Sequence, residues 1–324
     1  MARLSLCASA ICFTGLASAQ TQSSQSTFST DAPYAVIMDH ATGTVLFEKD
    51  ARKAIAPASM TKIMTAEMVF NALRDGRITP ETTFKVSEEA WRRGGAKSGS
   101  STMFLDVNSE VAVKDLLRGV IIQSGNDACI VLAEGLAGSE TAFADKMTAH
   151  AREIGLESAT FRNATGWPHP EHKISLMDLA KLATRSIEDY PEFYSIYSER
   201  GFTWNGIRQG NRNPLLGKFT GADGLKTGHT ESSGYGLVGS AVRGGTRRTI
   251  VINGLGSKAA RRDESLKLMQ AAFDDFKVYK LYTPNQDVGK IDVYMGKTET
   301  VSVMTSDAVY SGLHRADRKN IRTE

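Results

Sequence analysis

Apolar residues along the chain follow two different spacings. Short apolar runs over residues 34–39 and 44–47 flank Ala41-Thr42-Gly43, which predicts two strands joined as a hairpin. From residue 113 the period lengthens. Val113, Leu116, Leu117, Val120 and Ile121 recur at helical spacing, residues 128–136 are almost wholly apolar, and Phe143, Met147, Ala151 and Ile154 mark a third such stretch. Three helices follow from this, and the middle one reads as central. A fourth, over 175–188, carries Leu176, Leu179, Ala180, Leu182 and Ala183 on its inner side. Strand texture returns at 224–229, 235–242 and 248–253, the last two paired across Gly244-Gly245. A helix over about 258–278 closes the pattern. Strands, many helices, strands and a helix make an α+β order, in which both ends of one domain build a single antiparallel sheet.

The remaining stretches are patterned more weakly. Residues 80–112 mix turns with short apolar pieces, and Gly94-Gly95 with Ser98-Gly99-Ser100-Ser101 predict an exposed loop. Residues 200–222 are rich in Gly and Asn and read as irregular. Beyond 280, two runs alternate with period two around Met295-Gly296-Lys297, a small β-rich segment with few residues for a core of its own. We therefore divide the chain into a main domain over 31–279 and a small or truncated β segment over 280–324.

At 41% apolar and 23% charged residues the chain is of ordinary globular composition, and its net charge of +3 gives no reason to expect nucleic acid as a partner. Residues 20–30 are rich in Ser, Thr and Gln and read as a flexible lead-in. Ahead of them stand Arg3, an uncharged apolar run over 4–16, and Ala17-Ser18-Ala19. This is the form of a secretory signal peptide over 1–19, too short to span a bilayer; an uncleaved anchor is the competing reading. The protein is thus expected to be exported, to the periplasm or the outer face of the cytoplasmic membrane. Cys7 and Cys12 leave with the signal, and Cys129 remains as a packing thiol in an apolar helix, with no disulfide.

Chemistry enters at Pro57-Ala58-Ser59-Met60-Thr61-Lys62. Apolar residues follow and Gly76 ends the stretch, which predicts a helix over about 58–75 with Ser59 in its first turn. Residues three apart share a helical face, so Ser59 and Lys62 can meet. A serine hydroxyl needs a base to become a nucleophile, and a lysine serves when burial or a nearby cation leaves it neutral. Taken alone, a capping serine and a surface lysine explain the spacing as well. Two further motifs follow in order, Ser124-x-Asn126 between two predicted helices and Lys226-Thr227-Gly228 on a predicted strand. The trio in these contexts is that of serine enzymes that react with penicillin.

The chain resembles the low-molecular-mass D-alanyl-D-alanine carboxypeptidases, penicillin-binding proteins of peptidase family S11. The resemblance rests on the three motifs, on Asn163-Ala164-Thr165-Gly166-Trp167-Pro168, on Asn205-Gly206-Ile207-Arg208-Gln209 with Asn211-Arg212-Asn213, and on Asp223-Gly224 before Lys226 and His229-Thr230 after it. It covers about residues 30–275 and, more weakly, the β segment. It implies the fold of penicillin-binding proteins and serine β-lactamases. It also implies removal of the terminal D-alanine from peptidoglycan stem peptides through an acyl-enzyme, with β-lactams as covalent inhibitors and no cofactor or metal. A DD-endopeptidase or weak β-lactamase on the same fold is the alternative, and a non-catalytic peptidoglycan-binding protein a lesser one.

In this reading Ser59 attacks, Lys62 is the base with its pKa lowered by Lys226, Ser124 passes a proton to the leaving amine, and Asn126 holds Lys62 or the substrate amide. The resemblance makes the backbone N–H groups of Ser59 and His229 the donors to the tetrahedral oxygen. Lys226 and Thr227 bind the terminal carboxylate, and Gly228 leaves room for the substrate beside the strand. Arg212 is a further candidate for that carboxylate, although a plain surface arginine reads equally well. The family usually has leucine at Trp167 and a Ser-Thr pair at Ile174-Ser175, departures expected at the rim of the site. Its members usually continue into a longer second β domain and an amphipathic anchor helix, so membrane attachment is left open by a sequence that stops at Glu324. His169 and His172 lack a third ligand nearby and read as loop residues rather than a metal site.

Overall fold

The computed structural model describes residues 28–320. The signal peptide expected over 1–19 and most of the lead-in lie outside the described residues. The chain opens with β1 (Tyr34–Asp39) and β2 (Val45–Lys49), then a 3₁₀ turn, Ala58–Thr61, that leads directly into α1 (Lys62–Arg74). β3 (Thr83–Lys85), α2 (Glu88–Gly94), β4 (Glu110–Ala112) and α3 (Val113–Arg118) follow. A single π turn, Gly119–Gln123, joins α3 to α4 (Asn126–Ala137). After α5 (Glu140–Glu153), α6 (Leu176–Glu188) and the short α7 (Pro191–Tyr194) comes the hairpin of β5 (Gly201–Trp204) and β6 (Ile207–Gly210). β7 (Ala222–Thr230), β8 (Gly234–Arg243), β9 (Thr246–Leu255) and α8 (Lys258–Asp274) complete the main unit. β10 (Phe276–Tyr282), β11 (Asp287–Asp292), β12 (Thr300–Met304) and β13 (Val309–His314) form the C-terminal segment.

Both ends of the main unit build one sheet in the order β2-β1-β9-β8-β7, and every neighbouring pair is antiparallel. Strand side chains alternate between faces, which gives the sheet two cores. Ala35, Ile37, Ile250 and Ile252 pack with Leu268, Met269 and Ala272 of α8. Val36, Met38, Val238 and Val251 face the helical half, where Asn126 to Ala133 of α4 are buried without interruption. A helix apolar on all sides has to be central, and the others pack around it.

Three local expectations fail, each for a visible reason. Residues 80–112 hold α2, whose N-cap Ser87 accepts from Ala90 N at 2.9 Å and whose ends carry Glu88, Glu89 and then Arg92, Arg93, matching the helix dipole. Residues 200–222 contain a regular hairpin, because Asn205 (φ 47°) and Gly206 (φ 73°) form the two-residue turn that strand twist favours. The last helix stops at Asp274 instead of reaching 278. Phe276 begins a strand and is buried edge-on to Phe28. β10 pairs with β13 and β11 with β12, as two nested hairpins. β13 lies over β2 so closely that a Cβ on Gly312 would come 2.5 Å from Val45 O.

Candidate active site

Ser59 sits in the 3₁₀ turn and Lys62 is the first residue of α1. Ala58 before the serine is held at φ 49°, a region that L-residues avoid. Its carbonyl is packed against Gly166, where a Cβ would come within 1.9 Å. Lys62 is buried and its ammonium donates three hydrogen bonds, to Ser59 Oγ at 3.0 Å, Asn126 Oδ1 at 2.8 Å and the Thr165 carbonyl at 2.5 Å. All three of its donors are used.

The second motif reaches this point through the π turn, an irregularity common where a helix must present a functional group. It ends on Ser124 in a left-handed conformation (φ 66°). Asn126 then begins α4, and its Nδ2 donates to Ser100 Oγ at 3.1 Å. The next residue, Asp127, is buried and ties down the chain at 102–105. It accepts from Thr102 Oγ1 at 2.7 Å, Met103 N at 2.8 Å and Leu105 N at 3.1 Å. The serine-rich loop is thereby held over the site, with Ser101 accepting from Arg212 Nη1 at 2.6 Å.

The third motif lies on β7, the sheet's edge strand. Gly228 is needed for a reason the sequence did not indicate. A Cβ there would meet Pro57 O at 2.8 Å and Met60 Cγ at 3.1 Å, so glycine makes room for the turn that carries Ser59. A cavity of about 530 Å³ opens between the turn and the strand, lined by Ser59, Ser124, Arg212, Thr227, Gly228 and His229 together with Ser101, Tyr235, Lys258 and Arg261. His229 stacks on Tyr235 with ring centres 3.8 Å apart. Lys226 stands behind this wall, 2% exposed, its Nζ donating to the Thr227 carbonyl at 3.2 Å. The structure therefore brings Ser59, Lys62, Ser124, Asn126, Thr227, Gly228, His229 and Arg212 to one place, and sets Lys226 just beneath its surface.

Burial pushes Lys62 down to about 8, and the Arg212 guanidinium adds to the effect. Burial also drives Lys226 well below the ordinary lysine value, with repulsion from Lys62 and Arg212 behind it. Arg212 is thus a second cation acting on Lys62, and the repulsion between the two lysines disfavours charging both at once. Burial raises the Cys129 thiol to about 12, which leaves it a neutral packing group beside the site.

Two features escaped the sequence. The Thr165 carbonyl has no side-chain signature, but Asn163 gives a hint. Its Oδ1 accepts from Gly166 N at 2.7 Å and Trp167 N at 3.0 Å, folding the turn that aims the carbonyl at Lys62. His172 is a positioning residue of the same loop. Its Nδ1 accepts from Arg162 N at 3.2 Å, so its Nε2–H faces Thr61 Oγ1 at 2.9 Å. Burial holds it neutral, down to about 4. Trp167 and Ile174 are not at the rim of the Ser59 cavity. Trp167 lines a separate cleft and Ile174 is buried in a bridge to Ile55. Glu171 is exposed and paired with Arg162 at 3.1 Å. No group of three or more His, Cys, Asp or Glu among the described residues is placed to hold a metal.

The sequence profile of the D-alanyl-D-alanine carboxypeptidases, Peptidase S11, matches residues 19–256. That of the C-terminal domain of penicillin-binding protein 5 matches residues 276–324. D-alanyl-D-alanine carboxypeptidase DacD of Salmonella typhimurium is 37% identical over 296 residues, 91% of this chain and 76% of the relative. DacC of Escherichia coli is 39% identical over 296 residues, 91% of this chain and 74% of the relative. Penicillin-binding protein 5 from Haemophilus influenzae has the same fold, with a TM-score of 0.77 at 35% identity over 91% of this chain and 86% of that one. Penicillin-binding protein D2 from Listeria monocytogenes, solved in an ampicillin-bound form, gives 0.69 at 27% identity over 77% of this chain and 100% of that one.

Proposed function

The chain belongs to the D-alanyl-D-alanine carboxypeptidase family, Peptidase S11, and from that membership we propose how its residues carry the reaction. It is a serine hydrolase of penicillin-binding-protein fold that removes the terminal D-alanine of peptidoglycan stem peptides and binds β-lactams. The observation that supports the roles below is the threefold coordination of Lys62.

An ammonium with three donors spent has no lone pair to offer. When Lys62 loses a proton, two N–H bonds suffice for Asn126 Oδ1 and the Thr165 carbonyl, the acceptors at 2.8 and 2.5 Å. The lone pair then faces Ser59 Oγ, the most distant of the three at 3.0 Å. Ser59 gives its proton to Lys62 as its oxygen bonds to the carbonyl carbon of the penultimate D-alanine. The negative oxygen is received by the N–H groups of Ser59 and His229. Ser124 relays the proton to the departing nitrogen, the C–N bond breaks, and free D-alanine leaves. Water then repeats the sequence on the ester and restores Ser59.

The leaving D-alanine carries a carboxylate. Arg212 and the Thr227 hydroxyl lie on the cavity wall to receive it, while buried Lys226 braces the strand from behind through the Thr227 carbonyl. A peptide lying along the free edge of β7 would pair with it as an added strand. The enzyme acts outside the cytoplasm, where peptidoglycan is; residence in the periplasm or at the outer face of the cytoplasmic membrane is the finer proposal. Among the described residues no helix is long and apolar enough to cross a membrane.

Release of free D-alanine from diacetyl-Lys-D-Ala-D-Ala, with Ser59→Ala in parallel, tests this reading. Release by the parent and none by the variant is expected. Penicillin labelling that persists in Ser59→Ala would overturn the nucleophile.

A further inference from the structure

The Ser59 cavity carries more positive charge than the terminal carboxylate of a substrate can match. Arg212, Lys258 and Arg261 line it, and no carboxylate does. A seated peptide brings one negative charge to Arg212 and the Thr227 hydroxyl, which leaves two cations over. Both stand at the start of α8, three residues apart and so on one face. The other two cations of α8 are paired, Arg262 with Asp263 at 2.7 Å and Lys267 with Glu264 at 3.6 Å. Among the described residues Lys258 and Arg261 have no such partner. Arg261 is the stronger sign. It is 8% exposed, its Nε has no hydrogen-bond partner, and its guanidinium lies 5.6 Å from the centre of the Tyr235 ring. A buried cation without a counter-charge is costly, and an anionic ligand removes that cost. Lys258 is exposed on the same wall.

Position ties these two cations to the substrate. Tyr235 pairs with His229 across β7 and β8, and the two rings stack. His229 is two residues along β7 from Thr227, about 7 Å. With its carboxylate at Thr227 and its scissile carbonyl at the His229 N–H, a peptide lies antiparallel to β7. The residue before D-Ala-D-Ala then falls past His229, beside Tyr235 and the start of α8. Burial, followed by the charges of Arg261 and Lys258, lowers His229 against the pull of Glu231, so the imidazole is neutral and leaves the positive charge to the α8 pair.

We propose that Lys258 and Arg261 form a second anion subsite of the Ser59 cavity, which receives a carboxylate on the side chain of the residue preceding D-Ala-D-Ala and so selects acidic over neutral stem peptides. The proposal rests on the carboxypeptidase reading above. The test compares kcat/KM for D-alanine release from two N-acetyl-X-D-Ala-D-Ala peptides, in which X is 2-aminopimelate with its side-chain carboxylate free or converted to the carboxamide. It is made on the full chain and on Lys258→Gln, Lys258→Glu and Arg261→Gln. The parent is expected to favour the free acid by about tenfold, the size of one charge-assisted hydrogen bond. The ratio should fall to about threefold in Lys258→Gln, toward one in Arg261→Gln and below one in Lys258→Glu. Because it is a ratio within each protein, loss of folded material cancels. If Arg261→Gln does not fold, the exposed position of Lys258 carries the test. A parent ratio of one, or a ratio unmoved in Lys258→Glu, overturns the acidic subsite alone. So does an Arg261→Gln variant that slows both peptides equally, since Arg261 would then serve the terminal carboxylate. No D-alanine from either peptide overturns the carboxypeptidase reading and this proposal with it.

Discussion

Two lysines are buried within one site, and their surroundings differ. Lys62 begins a helix and points its ammonium at three oxygens, while Lys226 lies inside a strand and reaches a single backbone carbonyl. Burial lowers both and leaves Lys62 at about 8, a value from which it can gain and lose a proton near neutral pH. Lys226 has fewer acceptors, and burial with repulsion from Lys62, Arg212 and Arg261 drives it well below the ordinary lysine value. In the proposed mechanism, equal burial thus serves a proton-transfer group in one place and a brace of the substrate-binding strand in the other.

Exchanging the two environments breaks the comparison most sharply by deletion. Lys62→Ala should slow acylation by a fluorescent penicillin by about 10³-fold, the range for a lost general base. Lys226→Gln should slow D-alanine release by roughly threefold to tenfold, as the hydrogen bond that braces the Thr227 carbonyl is weakened, and chiefly through KM. Equal losses in kcat for both variants would erase the distinction.

A smaller effect sharpens it. In the proposed mechanism the neutral amine of Lys62 is the base, so acylation should rise about tenfold per pH unit up to about 8 and level off above. Arg212→Gln removes a cation that lowers Lys62, so the midpoint should move to higher pH and the rate at neutral pH should fall. A midpoint that stays in place would show that burial alone sets it.

The smallest effect on turnover belongs to His172, which acts on the Lys62 side only through Thr61. Its folded value near 4 lies below the ordinary 6.5, so the unfolded chain takes up the proton first as pH falls. The stability it contributes is present above about pH 6.5 and is lost toward pH 4, on the order of 3 kcal/mol. His172→Asn should flatten the fall in denaturation midpoint between these pH values. An unchanged slope would place the acid sensitivity elsewhere.

Much of this was legible in the chain because it is local. The 3.6-residue period drew α4 and α6, the two-residue period drew β1, β8 and β9, and glycines marked their turns. Asn205-Gly206 and the cap at Ser87 were also local signals, and a stricter reading of turn and cap chemistry would have found β5, β6 and α2. The end of α8 was not local. Phe276 leaves the helix because a partner strand and the Phe28 ring, far away in sequence, are there to receive it.

By itself the sequence determined the α+β order, the three motifs and the residue types available for acyl transfer, because spacing along a helix or strand is a property of the backbone. Only the tertiary structure decided how those residues act. The oxygen closest to Lys62 belongs to the backbone of Thr165, Gly228 is small for the sake of Pro57 and Met60, Lys226 sits behind the wall it was expected to line, and Trp167 faces a cleft of its own. Backbone carbonyls carry no residue code, and the fit between segments a hundred or more residues apart is set by packing in three dimensions.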